Sequence, residues 1–300
     1  MKRYNPKIDI KRIHRDALFE RLHIDEEYLG INNKDILFER YCVYNGQYED
    51  AHDIKNEIVG LIESGKLEET VPWKFRNIPN VDTLSLKVNI NSHEVANASC
   101  EIKNNVVEIE VWVALFDGFS RIDIDRWKDE LEARLIHELS HVKIEKEGAT
   151  DNKFNDISER MIYSQPIGLN KVYRFVATAY FCYFHEIQSY VSQLPKDVDF
   201  IMKKNGITPT KETLLDILKN TNVYKTYLTL KEKTLPEISS FDEETIEEIS
   251  KEYAKYSKEL AEDISKHFQK YVKYFDRQLM FAFRKIRQVF NYVLKENGLL

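Results

Sequence analysis

The chain has few of the features that mark secreted, membrane-spanning or nucleic-acid-binding proteins. Its 300 residues include only three cysteines, Cys42, Cys100 and Cys182. They are too few and too widely spaced for a zinc-finger or redox motif. A sparse, odd count suits a reducing compartment. The opening stretch MKRYNPKIDIKRIHRD has no apolar signal-peptide core. No apolar run approaches the ~20 residues of a membrane span. A cytoplasmic protein without membrane partners is therefore expected. An excess of basic residues is also missing: the net charge is −6 and the pI about 5.9. Nucleic-acid binders are normally basic, so no nucleic-acid partner is expected. There is no repeat of solenoid length. Neither glycine nor proline occurs from Glu237 to Asn297, which leaves that stretch free to be helical.

With 43% hydrophobic residues, the chain has ample material for a core. The patterning predicts an α+β protein, predominantly helical, in three regions. Residues 1–80 read as an N-terminal helical region, in which Ile54, Ile58, Leu61 and Ile62 mark one face. In the second region, 81–196, the period first drops to two. Leu84, Leu86, Val88 and Ile90 alternate, then Ala98, Cys100 and Ile102, then Val107, Ile109, Val111 and Val113. Asn104-Asn105 is the expected hairpin turn. This predicts a small antiparallel sheet, with His93-Glu94 in an exposed loop. Residues 197–300 follow helical spacing. A helix over 245–295 would be roughly 75 Å long, so a bend near Tyr274–Arg277 or packing on a partner is expected. The segment reads either as a helical subdomain or as a docking element for a protein partner.

Between sheet and C-terminal region lies Arg134-Leu-Ile-His-Glu-Leu-Ser-His141. His137 and His141 share one helix face, so both imidazoles can bind a single ion. Glu138 stands beside them, able to take a proton from a water molecule activated by that ion. Trp127, Leu131, Leu135, Leu139 and Val142 form an apolar stripe on the opposite side, at about 100° per residue. The helix can bury that stripe and present the histidines to a cleft. Ala133, Ser140 and Ile144 near the histidines suit close approach of another element. Asp123 or Asp125 is the expected N-cap and Gly148 the expected stop.

From Phe175 to Pro195 the only Asp, Glu, Lys or Arg is Glu186. Helical spacing surrounds it with Ala179, Cys182, Tyr183, Ser189 and Tyr190. An ionised carboxylate there is costly without a compensating cation. A metal ion supplies one, and a third protein ligand is what a catalytic two-histidine site lacks. His185 is an alternative ligand. Pro195 is expected to end this helix or follow its end closely. The connector, residues 146–169, is expected to hold one short helix near Ile157–Tyr163.

The HELSH motif, followed 45 residues after His141 by Glu186 in EIQSYV, resembles the gluzincin branch of the zincin metallopeptidases. An aromatic pair before E-I-x-[A/S]-Y is similar to zincin-like peptidases of bacteria and their phages. The resemblance covers the two helices and the preceding hairpin. It implies a zincin-like core with Zn2+ on His137, His141 and Glu186, and Glu138 as general base. It also implies an edge strand that holds an extended peptide or protein substrate. The metzincin pattern would put the third ligand at Glu147, but Ile144 occupies its glycine position and resists the required turn. Repressor-cleaving relatives place the acidic ligand much sooner. A transition-state donor is needed, and Tyr180, Tyr183, Tyr190, His185 and Arg174 are candidates. Two rival readings are a zincin fold that holds metal as a structural or docking component without proteolysis, and a helical protein with a chance motif.

Overall fold

Alternating apolar residues build three strands, β2 (Thr83–Asn91), β3 (Ala96–Lys103) and β4 (Val106–Ala114), and the more polar β1 (Glu68–Pro72) adds a fourth. The structure, a computed structural model, describes residues 45–76, 78–91, 96–114, 121–146, 153–164 and 170–300. The helices expected before residue 45, the His93-Glu94 loop, Glu147 and the Gly148 stop lie outside these residues. All described residues belong to the unit spanning Phe38–Leu300.

The sheet order is β1-β2-β4-β3. The expected antiparallel sheet is in fact mixed. β3 and β4 form the expected hairpin, with Asn104 and Asn105 both at positive φ, the type I′ signature. β2, however, runs parallel to β4. Alternation reports which face a residue takes and not which strand lies beside it, so the insertion of β4 between β2 and β3 left no trace in the pattern. β1 is a second correction. It lies in the region expected to be helical and pairs antiparallel with β2. Its burial alternates only weakly, because it is an edge strand with no fully buried residue.

Helix α1 (Asn45–Glu63) and helix α2 (Arg121–Lys146) cover one sheet face. The predicted stripe of α2 is buried, with Trp127, Leu131 and Leu135 at 0% exposure. Each such side chain contributes about 1.5–3 kcal/mol. Ile54, Ile58 and Ile62 of α1 complete this core with Leu84, Val107, Ile109 and Val111. α2 begins at Arg121, so Asp123 and Asp125 fall in its first turns and neither is the N-cap.

The connector holds α3 (Lys153–Ser164), as expected. The aromatic run is not one helix. α4 (Lys171–Phe181) stops, Tyr183 takes an extended conformation, and α5 starts at Phe184 and runs to Asn205. Ala179 and Cys182 therefore share no helix face with Glu186. Pro195 does not end α5, which stops at left-handed Gly206. The Tyr48 hydroxyl donates to the Ser192 carbonyl, in the turn that the proline disturbs.

The remaining helices are α6 (Lys211–Asn220), α7 (Asn222–Thr229), a π-helical turn (Leu230–Thr234), α8 (Leu235–Ser239), α9 (Glu243–Ala254) and α10 (Lys258–Glu296). The long helix expected over 245–295 is thus broken after Ala254, where Ser257 caps α10 by accepting from the Leu260 N–H. The irregular backbone inside α10 falls at His267, not at Tyr274–Arg277. α10 packs on α5 and α9. Its Phe268, Tyr271 and Phe275 meet Phe154 of α3 and Phe175 of α4 in an aromatic core. Among the described residues no helix is long and apolar enough to cross a membrane.

A buried ion cluster joins α1, α2 and α5. Glu132 meets Lys55 at 2.6 Å and Lys196 at 2.7 Å. Burial alone would raise the Glu132 carboxyl, but the two lysines outweigh it and hold it down to about 2, against an ordinary 4.5. A depressed folded value means that the stabilisation is complete above about pH 5 and fades as pH falls toward 2. At pH 7, Glu132→Gln should cost about 3–5 kcal/mol, because Lys55 is left buried without a carboxylate. Urea titrations should show that gap closing between about pH 5 and pH 2; a gap independent of pH would refute the ion-pair account.

Candidate metal centre

The candidate ligands come from two helices, each placed by its own core. α2 buries its Leu131-Leu135-Leu139 stripe and turns His137 and His141 toward α5. From α1, Gln47 donates to the Ile136 carbonyl at 2.6 Å and to Ser140 Oγ at 2.5 Å, bracing this turn. α5 meets the pair with Glu186, the third residue of its first turn. A carboxylate there is favoured by the helix dipole.

The break between α4 and α5 puts Glu186 in place. His137 Nε2 and His141 Nε2 are 3.1 Å apart. Glu186 Oε1 lies 3.3 Å from His141 Nε2, and Oε2 lies 3.7 Å from His137 Nε2. Tetrahedral ligands at about 2.0–2.1 Å from zinc stand roughly 3.3 Å from one another, so this spacing fits. His137 and Glu186 are buried, while the His141 side chain is 26% exposed and gives the site its opening.

The electrostatics point the same way. Burial, with His141 and Arg134 nearby, pushes His137 well below its ordinary value. Burial and His185 bring His141 down to about 4. Both imidazoles are therefore neutral near pH 7, the form that ligates metals. Burial pushes the Glu186 carboxyl well up, against a hydrogen bond from the Tyr180 hydroxyl. Its Oε2 has no hydrogen-bond partner among the described residues. A buried, unpartnered carboxylate oxygen facing two neutral imidazoles is a donor set complete except for a cation.

Glu138 is half-buried beside this triad. Burial raises its carboxyl to about 8, although it accepts a hydrogen bond from the Cys100 N–H of β3 and feels Arg134. β3 pairs only with β4 among the described strands, and α2 packs along it, so Glu138 meets the edge strand of the sheet.

The structure sorts the other candidates. Tyr180 bonds Glu186 and so orients that candidate ligand. Tyr190 lies edge-on to the His137 ring, with centroids 4.4 Å apart. Tyr183 stacks on His185, whose charge is felt by His141. Arg174 points elsewhere and pairs with Glu237 of α8. Two residues escaped the sequence reading. Tyr163 of α3 is 73% exposed, yet its hydroxyl sits 3.1 Å from that of Tyr180. It also feels the charges of Glu186, Glu159 and Glu138. Glu159, one turn earlier, raises both Glu138 and Glu186. The expected short helix near Ile157–Tyr163 was the only signal for either. No family model, curated protein or solved structure matches this chain, so its functional assignment rests on the geometry of the site.

Proposed function

We propose that the protein is a zinc-dependent peptidase of zincin-like architecture. The observation that carries this reading is the meeting of Glu186 with a histidine pair 45 and 49 residues away in the chain, with its Oε2 unpartnered. His137, His141 and Glu186 would hold the ion. Zinc bound there supplies Lewis acidity toward a water molecule and a peptide carbonyl. Glu138 takes the proton of the attacking water and passes it to the departing amine. The nearby cation favours the ionised carboxylate that this role requires. Tyr163, hydrogen-bonded to the Tyr180 hydroxyl, supports the residue that orients Glu186. Tyr180 and Tyr190 hold Glu186 and His137 in position. In this reading the edge strand β3, beside Glu138, is where an extended peptide would add as a further strand.

Purified without chelator, supplemented with zinc and desalted, the protein should hold about one zinc per chain. It should cleave an unstructured protein substrate, lose that activity to a chelator and regain it with zinc. A content well below one zinc per chain would sink the reading.

A further inference from the structure

The first turn of α1 holds both ligand-bearing helices at once. Its consecutive residues Gln47 and Tyr48 reach in different directions, Gln47 to α2 and Tyr48 to α5. Gln47 is 7% exposed, and its Nε2 lies 2.6 Å from the Ile136 carbonyl oxygen and 2.5 Å from Ser140 Oγ. Ser140 Oγ donates in turn to the same carbonyl at 2.8 Å. A carbonyl can only accept, so the amide must present its NH2 group there. This carbonyl belongs to the peptide group that leads into His137, and Ser140 stands immediately before His141. One side chain thus grips the turn between the two imidazoles at both ends. A serine hydroxyl bonded back to the i−4 carbonyl tends to bend a helix, and the Gln47 amide pins that bend from outside. The Tyr48 hydroxyl donates to the Ser192 carbonyl at 3.0 Å, on the helix that carries Glu186.

The fold has little need of these bonds. Without Gln47, Ser140 would still donate to the Ile136 carbonyl, so both groups would keep a partner. Without its hydroxyl, residue 48 would still pack its ring against the core that α1 and α2 share. A metal site is less tolerant, because its ligands must be held within about 0.5 Å of the working geometry. The Nε2 atoms of His137 and His141 stand 3.1 Å apart, and Glu186 reaches them from a different helix. A bracket that joins both helices is what such precision calls for.

We propose that Gln47 and Tyr48 are positioning residues of the metal centre, which set the spacing between the histidine pair on α2 and Glu186 on α5. The proposal rests on the metal site of the peptidase reading and not on hydrolysis, so metal binding tests it. Zinc affinity of the full-length wild type, Gln47→Met and Tyr48→Phe would be measured by competition with a chromophoric chelator. Melting of the metal-free proteins and visible spectra of the cobalt-loaded ones would be recorded beside it. Methionine keeps the length of the side chain and lacks the donors. Gln47→Met should bind zinc about 10- to 100-fold more weakly, the range for loss of an outer-shell partner. Tyr48→Phe should lose about two- to tenfold, the net worth of one hydrogen bond. Both cobalt spectra should shift, because metal geometry follows the placement of the ligands. The metal-free melting temperatures should stay close to that of the wild type. Unchanged affinity and cobalt bands in one variant would remove that residue from the bracket, and in both would overturn the proposal. Weaker binding with wild-type cobalt bands and a collapsed metal-free melting temperature would overturn it too, as the mark of residues that serve the fold alone. A wild type that binds neither zinc nor cobalt would instead reject the metal centre itself, and the positioning role with it.

Discussion

Glu138→Gln will leave zinc in place and reduce peptide hydrolysis by about 10²- to 10⁴-fold, the usual worth of a general base. Glutamine keeps the shape and can still accept from the Cys100 N–H of β3, so the helix and the edge strand should remain as they are. What it lacks is a site for the proton of the attacking water. The loss should fall on kcat, with KM little changed, since Glu138 contributes to the transition state and not to strand pairing. Elemental analysis beside the kinetics separates the outcomes. Unchanged zinc with lost activity supports the assigned role. Metal binding with no hydrolysis in either form favours the rival reading, a metal-holding structural or docking component. Full activity in the variant would require a different base, and Glu159, whose charge both Glu138 and Glu186 feel, is the carboxylate to consider.

The parts of this site that were legible in the sequence are those where chemistry and period coincide. His137 and His141 could be oriented because the Trp127–Val142 stripe has a helical period and a core to bury it in. Glu186 stood out because a lone charge in an aromatic run requires a partner. The break that delivers it was not legible. Tyr183 caps α5 without a side-chain hydrogen bond, and no glycine or proline marks the junction. The parallel pairing of β2 with β4 was hidden because alternation is blind to neighbours. Tyr163 and Glu159 were hidden for another reason. Each is a polar residue of a kind that helices expose by the dozen, and only the fold brings it to the ligands. The break before α10, by contrast, had a readable signal in Ser257, which was outweighed by the unbroken apolar spacing around it.

Glu186→Ala should weaken zinc binding by more than the roughly 10–100-fold that loss of an outer-shell partner costs, because it removes a ligand outright. Glu147→Ala, at the metzincin position, should leave affinity unchanged. Equal losses from both would mean that the third ligand has been misassigned. A second measurement separates a ligand from a structural carboxylate. In the metal-free protein Glu186 is buried, with one oxygen unpartnered and its carboxyl pushed well up. A group whose folded value is raised costs stability progressively as pH climbs above its unfolded value of about 4.5. Glu186→Gln removes that cost and keeps an acceptor for the Tyr180 hydroxyl. Metal-free, at pH 7 to 8, the Gln variant should therefore melt at or above the wild-type temperature. With saturating zinc the order should invert, since binding to the native state stabilises it by mass action and the variant binds less. A carboxylate that merely braces α5 would give the same order with and without zinc. The crossing of the two melting series is thus the signature of a residue kept at a cost to the fold for the cation it holds.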